Sequence, residues 1–275
     1  MKIAVLLGGT SSERDVSIAT GGHGRCRSTR LLLDGPTLAA VAVLAVLAAT
    51  VSGMSGFGAG LILTVGLVPL IGVKAVIPVL AVAGVVINAG RFWFYRTMLD
   101  RRMMALVLVA SLPFLVLGTW LYSVLDARSL GIVLGCAVMA SVPVRRFFHA
   151  RKMAIGPVGV ATGSGVFGFA AGIASGAGVI LVSLLLGAGL ATPAVLATDA
   201  MVSIVIDLAK AALFQRFDLL DADAFFTGVV IGVASIPGSA IAAWLVNRMG
   251  AKLHVLFMEV LILFGGASML WNAVR

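Results

Sequence analysis

Charge is what this chain has least of. Asp, Glu, Lys and Arg make up only 11% of its 275 residues, against about 25% in an ordinary soluble domain. Cysteine is nearly absent, and the two present, Cys26 and Cys136, exclude a disulfide framework and carry no metal-ligand spacing. The three histidines, His23, His149 and His254, lie far apart in the sequence and form no HExxH-type cluster. Nothing in these residues suggests a metal site or a redox cofactor, and none is expected. A hydrolase triad, a Walker A loop and a paired-carboxylate catalyst are missing too, so the chain is not expected to be an enzyme. The segment GSGVFGFAAG at 163–172 has glycine spacing reminiscent of a dinucleotide loop, but no soluble βαβ unit surrounds it.

What the chain has instead is apolar length. Hydrophobic residues are 61% of the total, and Gly contributes 33 residues. A helix crossing the hydrocarbon core needs about 20 predominantly apolar residues. Apolar runs follow one another at 38–70, 75–89, 103–125, 130–142, 155–186, 193–214, 225–246 and 253–271. The expectation is an all-α integral membrane protein of about eight transmembrane helices, with the lipid bilayer as its surroundings. The net charge of +9 would suggest nucleic acid in a soluble protein. Here the cations sit in short loops between apolar runs, the bias of cytoplasmic loops, and nucleic acid is not expected as a partner.

The chain repeats itself. Ala110-Ser111-Leu112-Pro113 returns as Ala234-Ser235-Ile236-Pro237, and Trp120-Leu121 returns as Trp244-Leu245. Ser55-Gly56-Phe57-Gly58 corresponds to Ser175-Gly176-Ala177-Gly178, and Asn88 and Arg91 correspond to Asp207 and Lys210. The reading is two homologous halves, 36–150 and 153–275, each beginning with a long run broken by glycines. Duplicated halves with broken helices in matching places are an architecture of secondary transporters, with the site between the halves.

The glycine clusters have two readings. They are helix-packing surfaces, or they unwind the helix so that backbone N–H groups at a half-helix N-terminus hold an anion. Their recurrence in both halves favours the second, and makes Ser55, Gly56, Gly58, Ser175, Gly176 and Gly178 candidate substrate contacts. The run at 193–214 adds Thr198, Asp199 and Ser203. At about 100° per residue, Asp199, Ser203, Asp207 and Lys210 share one helix face. Charged groups inside the bilayer face a cavity or each other. Asp199 and Asp207 are therefore candidates for proton coupling. The plainer reading of Asp207–Lys210 is a neutral pair near the cytoplasmic end, with Lys210 reaching out to water. Asn88 and Arg91 are its first-half counterparts, and the plainer reading of Arg91 is the start of a cytoplasmic basic cluster.

With eight crossings, Lys74, Arg128, Arg248 and Lys252 fall on one side. The other loop cations, among them Arg96, Arg101, Arg102, Arg145, Arg146, Arg151, Lys152 and Arg216, fall on the opposite side. This places both termini in the cytoplasm.

Two resemblances follow from these residues. From about residue 36 onward the chain resembles the TauE/SafE family of sulfite exporters and toluene-sulfonate uptake permeases. The resemblance rests on SGFGAG at 55–60, GFAAGIASGAGVILVSLLLGAG at 168–189 and PAVLATDA at 193–200. Asp199 stands where that family commonly has Ser, and the first-half counterpart near 75–80 has Pro78 and no Thr. The resemblance implies secondary transport of a small anion, sulfite or an organosulfonate, across the bacterial inner membrane; the alternatives are an anion channel and a non-transporting membrane partner. A homo-oligomer is compatible with it. Residues 1–20, MKIAVLLGGTSSERDVSIAT, resemble the start of a D-alanine–D-alanine ligase, in which Glu13 would be a substrate-side carboxylate. No ATP-grasp domain follows, so residues 1–35 are read as a non-functional N-terminal segment: a ligase-like start, poorly ordered or forming a lone strand, and then a basic linker with Arg25, Arg27 and Arg30.

Overall fold

A computed structural model describes residues 35–53, 59–150 and 155–246, together with Leu263, Ala267, Leu270 and Trp271. The expectations for residues 1–34, for Ser55, Gly56 and Gly58, and for most of the last run lie outside the described residues. Everything described is helical or a short connection. The helices are α1 (Gly35–Gly53), α2 (Ala59–Ile71), α3 (Val73–Tyr95), α4 (Arg101–Val124), α5 (Ala127–Ala150), α6 (Pro157–Ile173), α7 (Gly178–Gly187), α8 (Thr192–Arg216) and α9 (Ala222–Val246), with one 3-10 turn at Arg96–Met98.

Both long runs are divided where their glycines cluster, the first into α1 and α2, the second into α6 and α7. Starts and stops follow local chemistry. Asp100 caps α4 by accepting the Met103 N–H at 2.9 Å, and Asp221 caps α9 by accepting the Ala224 N–H at 2.8 Å. Pro157 and Pro193 stand in the first turns of α6 and α8, where a missing N–H costs nothing. At the end of α7, Gly189 takes φ 86° while the Leu190 N–H reaches back to the Leu185 carbonyl at 3.2 Å.

Inside the helices, hydroxyls return their protons to the preceding turn. Thr64 donates to the Gly60 carbonyl at 2.6 Å, Ser183 to Val179 at 2.7 Å and Ser235 to Ile231 at 2.7 Å. Polar groups in hydrocarbon must be satisfied by the protein itself.

The two parts of each divided run are antiparallel. The Ile155 N–H, just before α6, donates to the Gly187 carbonyl at the end of α7 at 2.7 Å. Leu184 of α7 fills the place a side chain on Gly163 of α6 would take, and Leu44 of α1 does the same at Gly66 of α2. At 1.5 Å per residue α6 is about 25 Å long and α7 about 15 Å. The α6–α7 hairpin therefore enters the bundle from one face and comes back to it. We call the face where α1 starts the first face and the face where α6 starts the second.

Around the hairpins, α4 packs along α6, α9 along α1 and α3, and α3 along α8. The α4–α6 contact is backbone against backbone: a Cβ on Gly168 would lie 2.1 Å from the Ser111 carbonyl oxygen, and one on Gly172 would lie 2.7 Å from the Leu115 oxygen. Membrane helices gain most from such close approach by small residues, because lipid offers no hydrophobic drive between them. At the first face Tyr122 is buried edge-on to Phe214, with ring centroids 5.1 Å apart, and its hydroxyl donates to the Val73 carbonyl at 2.9 Å. The outer surface is apolar, with Val109, Leu117, Val166 and Phe225 exposed. Trp93 lies at one end of α3 with the Arg96 guanidinium 3.9 Å above its ring. An apolar girth with tryptophan near its edge suits a bilayer. By length and composition, α3 over residues 73–93 and all of α4 are long and apolar enough to cross one.

Candidate functional site

The candidate site lies where the hairpins turn. Alpha-6 ends at Ile173, Ala174 is extended, and Gly176 takes φ 99° before α7 begins. That φ suits glycine, and the position also has no room, since a Cβ there would meet the Leu61 side chain at 2.3 Å. From the other hairpin, a Cβ on Gly60 would lie 3.0 Å from the Ser175 Cβ. The start of α2 thus touches the turn before α7. Of the predicted glycine-cluster contacts, Ser175, Gly176 and Gly178 are at this meeting point.

The helix pair α3 and α8 supplies the charge. Asp199 is buried and its Oδ2 pairs with the Arg91 guanidinium. The Arg91 side chain is 27% exposed, so the pair joins the interior to a wetter margin. Two turns deeper, Asp207 Oδ1 lies 3.2 Å from Lys210 Nζ, and its Oδ2 accepts from Asn88 Nδ2 at 3.3 Å. Gly84 makes room for this carboxylate; a Cβ there would sit 2.2 Å from Oδ2. Lys210 also donates to the Ala171 carbonyl, in the last turn of α6, at 3.3 Å. A cation at a helix C-terminus complements the negative end of the helix dipole.

Lys210 does not reach out to water; at 4% exposed it is held inside by Asp207 and the end of α6. Arg91 is more than the first cation of a loop cluster, because it crosses to Asp199. Thr198 turns away from the hairpin: its hydroxyl accepts the Asp100 N–H at 3.2 Å and fastens the α3–α4 connection to α8. Ser203 is partly buried between Asp199 and Asp207 along α8. Sequence reasoning missed Gly84 and the Ala171 carbonyl. Gly84 lies one turn before Asn88 on α3, and that spacing is the signal that marks it.

Each buried carboxylate thus has one cation, and the local charge balances. Among the described residues no group of three His, Cys, Asp or Glu side chains is placed to hold a metal ion. An arrangement of broken-helix ends with paired charges can hold a small ion and exchange partners around it.

Comparison with known proteins found no match among curated proteins or solved structures. One family model does match, over residues 41–269, which takes in both hairpins, the α3–α8 pair and every helix between them. The chain therefore belongs to the sulfite exporter TauE/SafE family, a family of membrane permeases.

Proposed function

We propose that the protein is a secondary carrier of a small anion, sulfite or an organosulfonate, acting without catalysis. The observation that carries this reading is the contact between the two hairpins beside the Arg91–Asp199 pair. There the first residue of α7 and a guanidinium both stand beside the buried Asp199 carboxylate. A half-helix N-terminus carries about half a positive charge and favours an anion.

Two homologous halves, 36–150 and 153–275, are supported by reciprocal packing. The Leu44–Gly66 contact of the first hairpin corresponds to Gly163–Leu184 in the second, with the large and small residues exchanged. The close approach of Gly238 in α9 to the Val46 backbone in α1 stands at the positions that correspond to the Phe114–Gly165 contact between α4 and α6. Each half would consist of one returning hairpin and three crossing helices. An odd number of crossings inverts the second half relative to the first, as alternating access about a central site requires.

Among the described residues, returning hairpins put Arg96, Arg101, Arg102, Arg145 and Arg146 at the second face and Lys74, Arg128 and Arg216 at the first. That bias favours a cytoplasmic second face. The expectation of cytoplasmic termini, which rests on eight crossings, is the alternative that labelling from either side of the membrane decides.

The deciding experiment is flux of sulfite, taurine and sulfoacetate into proteoliposomes, with and without an imposed proton gradient. A carrier gives saturable flux of one of them that follows the gradient. Currents that persist without any such coupling would identify a channel, and no flux from folded protein would leave only a membrane partner.

A further inference from the structure

The two buried carboxylates of α8 are not equivalent. Asp207 has both oxygens engaged, one by Lys210 and one by Asn88. Asp199 has only one: Oδ2 is held by Arg91, while Oδ1 is buried with no hydrogen-bond partner among the described residues. A buried, unpartnered carboxylate oxygen is costly and unusual in a folded protein.

The direction in which Oδ1 points gives it meaning. It lies 4.0 Å from the position a Cβ on Gly178 would take, and nothing else stands within that radius. Gly178 is the first residue of α7. The N–H groups of Ala177 and Gly178 have no hydrogen-bond partner among the described residues, as expected of a helix start. Asp199 therefore stands between a guanidinium and a helix N-terminus, two groups that both favour an anion, with an open side at Gly178.

We propose that Asp199 is a resident counter-anion. In the substrate-free protein its carboxylate holds the place, between Arg91 and the start of α7, that the sulfonate or sulfite group of the substrate takes. It yields that place by accepting one proton. This inference rests on the anion-carrier reading above and adds to it the group that carries the proton. The reason for the exchange is charge. Lys210 is matched by Asp207 and Arg91 by Asp199, so a monovalent anion arriving at Arg91 would put two negative groups, one of them buried, against one cation. Proton uptake by Asp199 removes one of them and keeps the site neutral. Among the described residues the charged groups near Asp199 are few. They are Arg91 on α3, Arg96 in the turn that follows it, Asp100 before α4, and Asp207 and Lys210 on α8 itself; α6 and α7 contain no titratable residue. Among them only Asp199 combines burial, contact with Arg91 and a free oxygen facing α7.

The test is calorimetric binding of methanesulfonate to the full-length protein in nanodiscs. This probe stays ionised throughout, so any proton uptake belongs to the protein. Repeating the titration in buffers of different ionisation enthalpy counts the protons. The wild type should take up about one proton per anion, and its affinity should fall about tenfold per pH unit on the alkaline side of the transition, as linkage requires. Asp199→Asn should bind at least as tightly, with proton uptake near zero and a flat pH profile. Arg91→Gln should weaken binding about tenfold or more, the loss expected for one charge-assisted contact. Wild-type binding without proton uptake overturns the proposal while leaving the anion-carrier reading in place. So does a folded Asp199→Asn protein that no longer binds, since the carboxylate would then be a contact and not a competitor. Should that variant fail to fold, the wild-type pH series decides alone, and a flat profile overturns the proposal. Absence of any binding of methanesulfonate, sulfite or taurine to the wild type would remove the carrier reading and this inference with it.

Discussion

The backbone N–H of Ile155 donates to the carbonyl of Gly187 at 2.7 Å, tying the entrance of α6 to the exit of α7. The bond marks the return of a long apolar run to the face it came from, and the side of every later loop follows from that return. Single cysteines test this. In a background with Cys26 and Cys136 replaced by Ser, Asp221→Cys between α8 and α9 should react with a membrane-impermeant maleimide from outside intact cells. Arg102→Cys at the head of α4 should react only after permeabilisation. Labelling of both from the same side would contradict the hairpin topology. The reverse pattern would keep the topology and invert the orientation.

The Asp207–Lys210 pair is predicted to matter through its partner's isolation. Lys210→Met leaves a buried carboxylate supported by Asn88 alone, and loss of one member of a buried pair typically costs about 3–5 kcal/mol. The double change Asp207→Asn with Lys210→Met removes both charges and should recover most of that loss. Thermal unfolding in detergent gives the comparison as a double-mutant cycle; additive losses would mean the two groups do not act as a pair.

Backbone contact between α4 and α6 makes a contrast between two glycines. A side chain on Gly172 would collide with the backbone at Leu115 and Thr119, each 2.7 Å from the added Cβ. Gly172→Val should therefore destabilise by about 1–3 kcal/mol or more, the cost of overpacking a close contact. Gly90, helical in α3, has nothing within 4 Å of such an atom. Gly90→Ala should stabilise by about 0.5–1 kcal/mol through reduced backbone freedom in the unfolded chain. The same melting experiment reads both, and equal effects would count against the tight α4–α6 seam.

Between α4 and α5, Asp126 is exposed and accepts the N–H groups of Arg128 and Ser129 at 3.1 and 3.3 Å. The side-chain hydrogen bond from Ser129, then its backbone N–H, hold the Asp126 carboxyl below the usual carboxylate range. A carboxyl depressed in the folded state contributes stability that is fully present above its unfolded pKa and is lost as pH falls through the folded one. Wild type should therefore exceed Asp126→Ala in melting temperature at neutral pH by a small margin that disappears in acid. A margin that grows on acidification would show that the cap does not act through the ionised carboxyl.

The amino-acid sequence determined the solvent, the class and the places where helices break. Apolar runs separated by basic loops have no stable solution but helices in a bilayer, and the glycines at 53–60 and 172–178 stop those helices wherever the chain is threaded. The repeated Asn88–Arg91 and Asp207–Lys210 pairs also showed which helices carry polar groups. Hydrophobicity, however, has no direction. Nothing in the run at 155–186 says whether its second part continues across the bilayer or turns back, because both paths bury the same residues; the packing of Leu184 against Gly163 selected the return. Nor does local spacing pair Arg91 with Asp199, or bring Lys210 to the last turn of α6. Those partners are distant along the chain, and only the crossing of α3 over α8, with α6 alongside, brings opposite charges together in a medium that would not tolerate them apart.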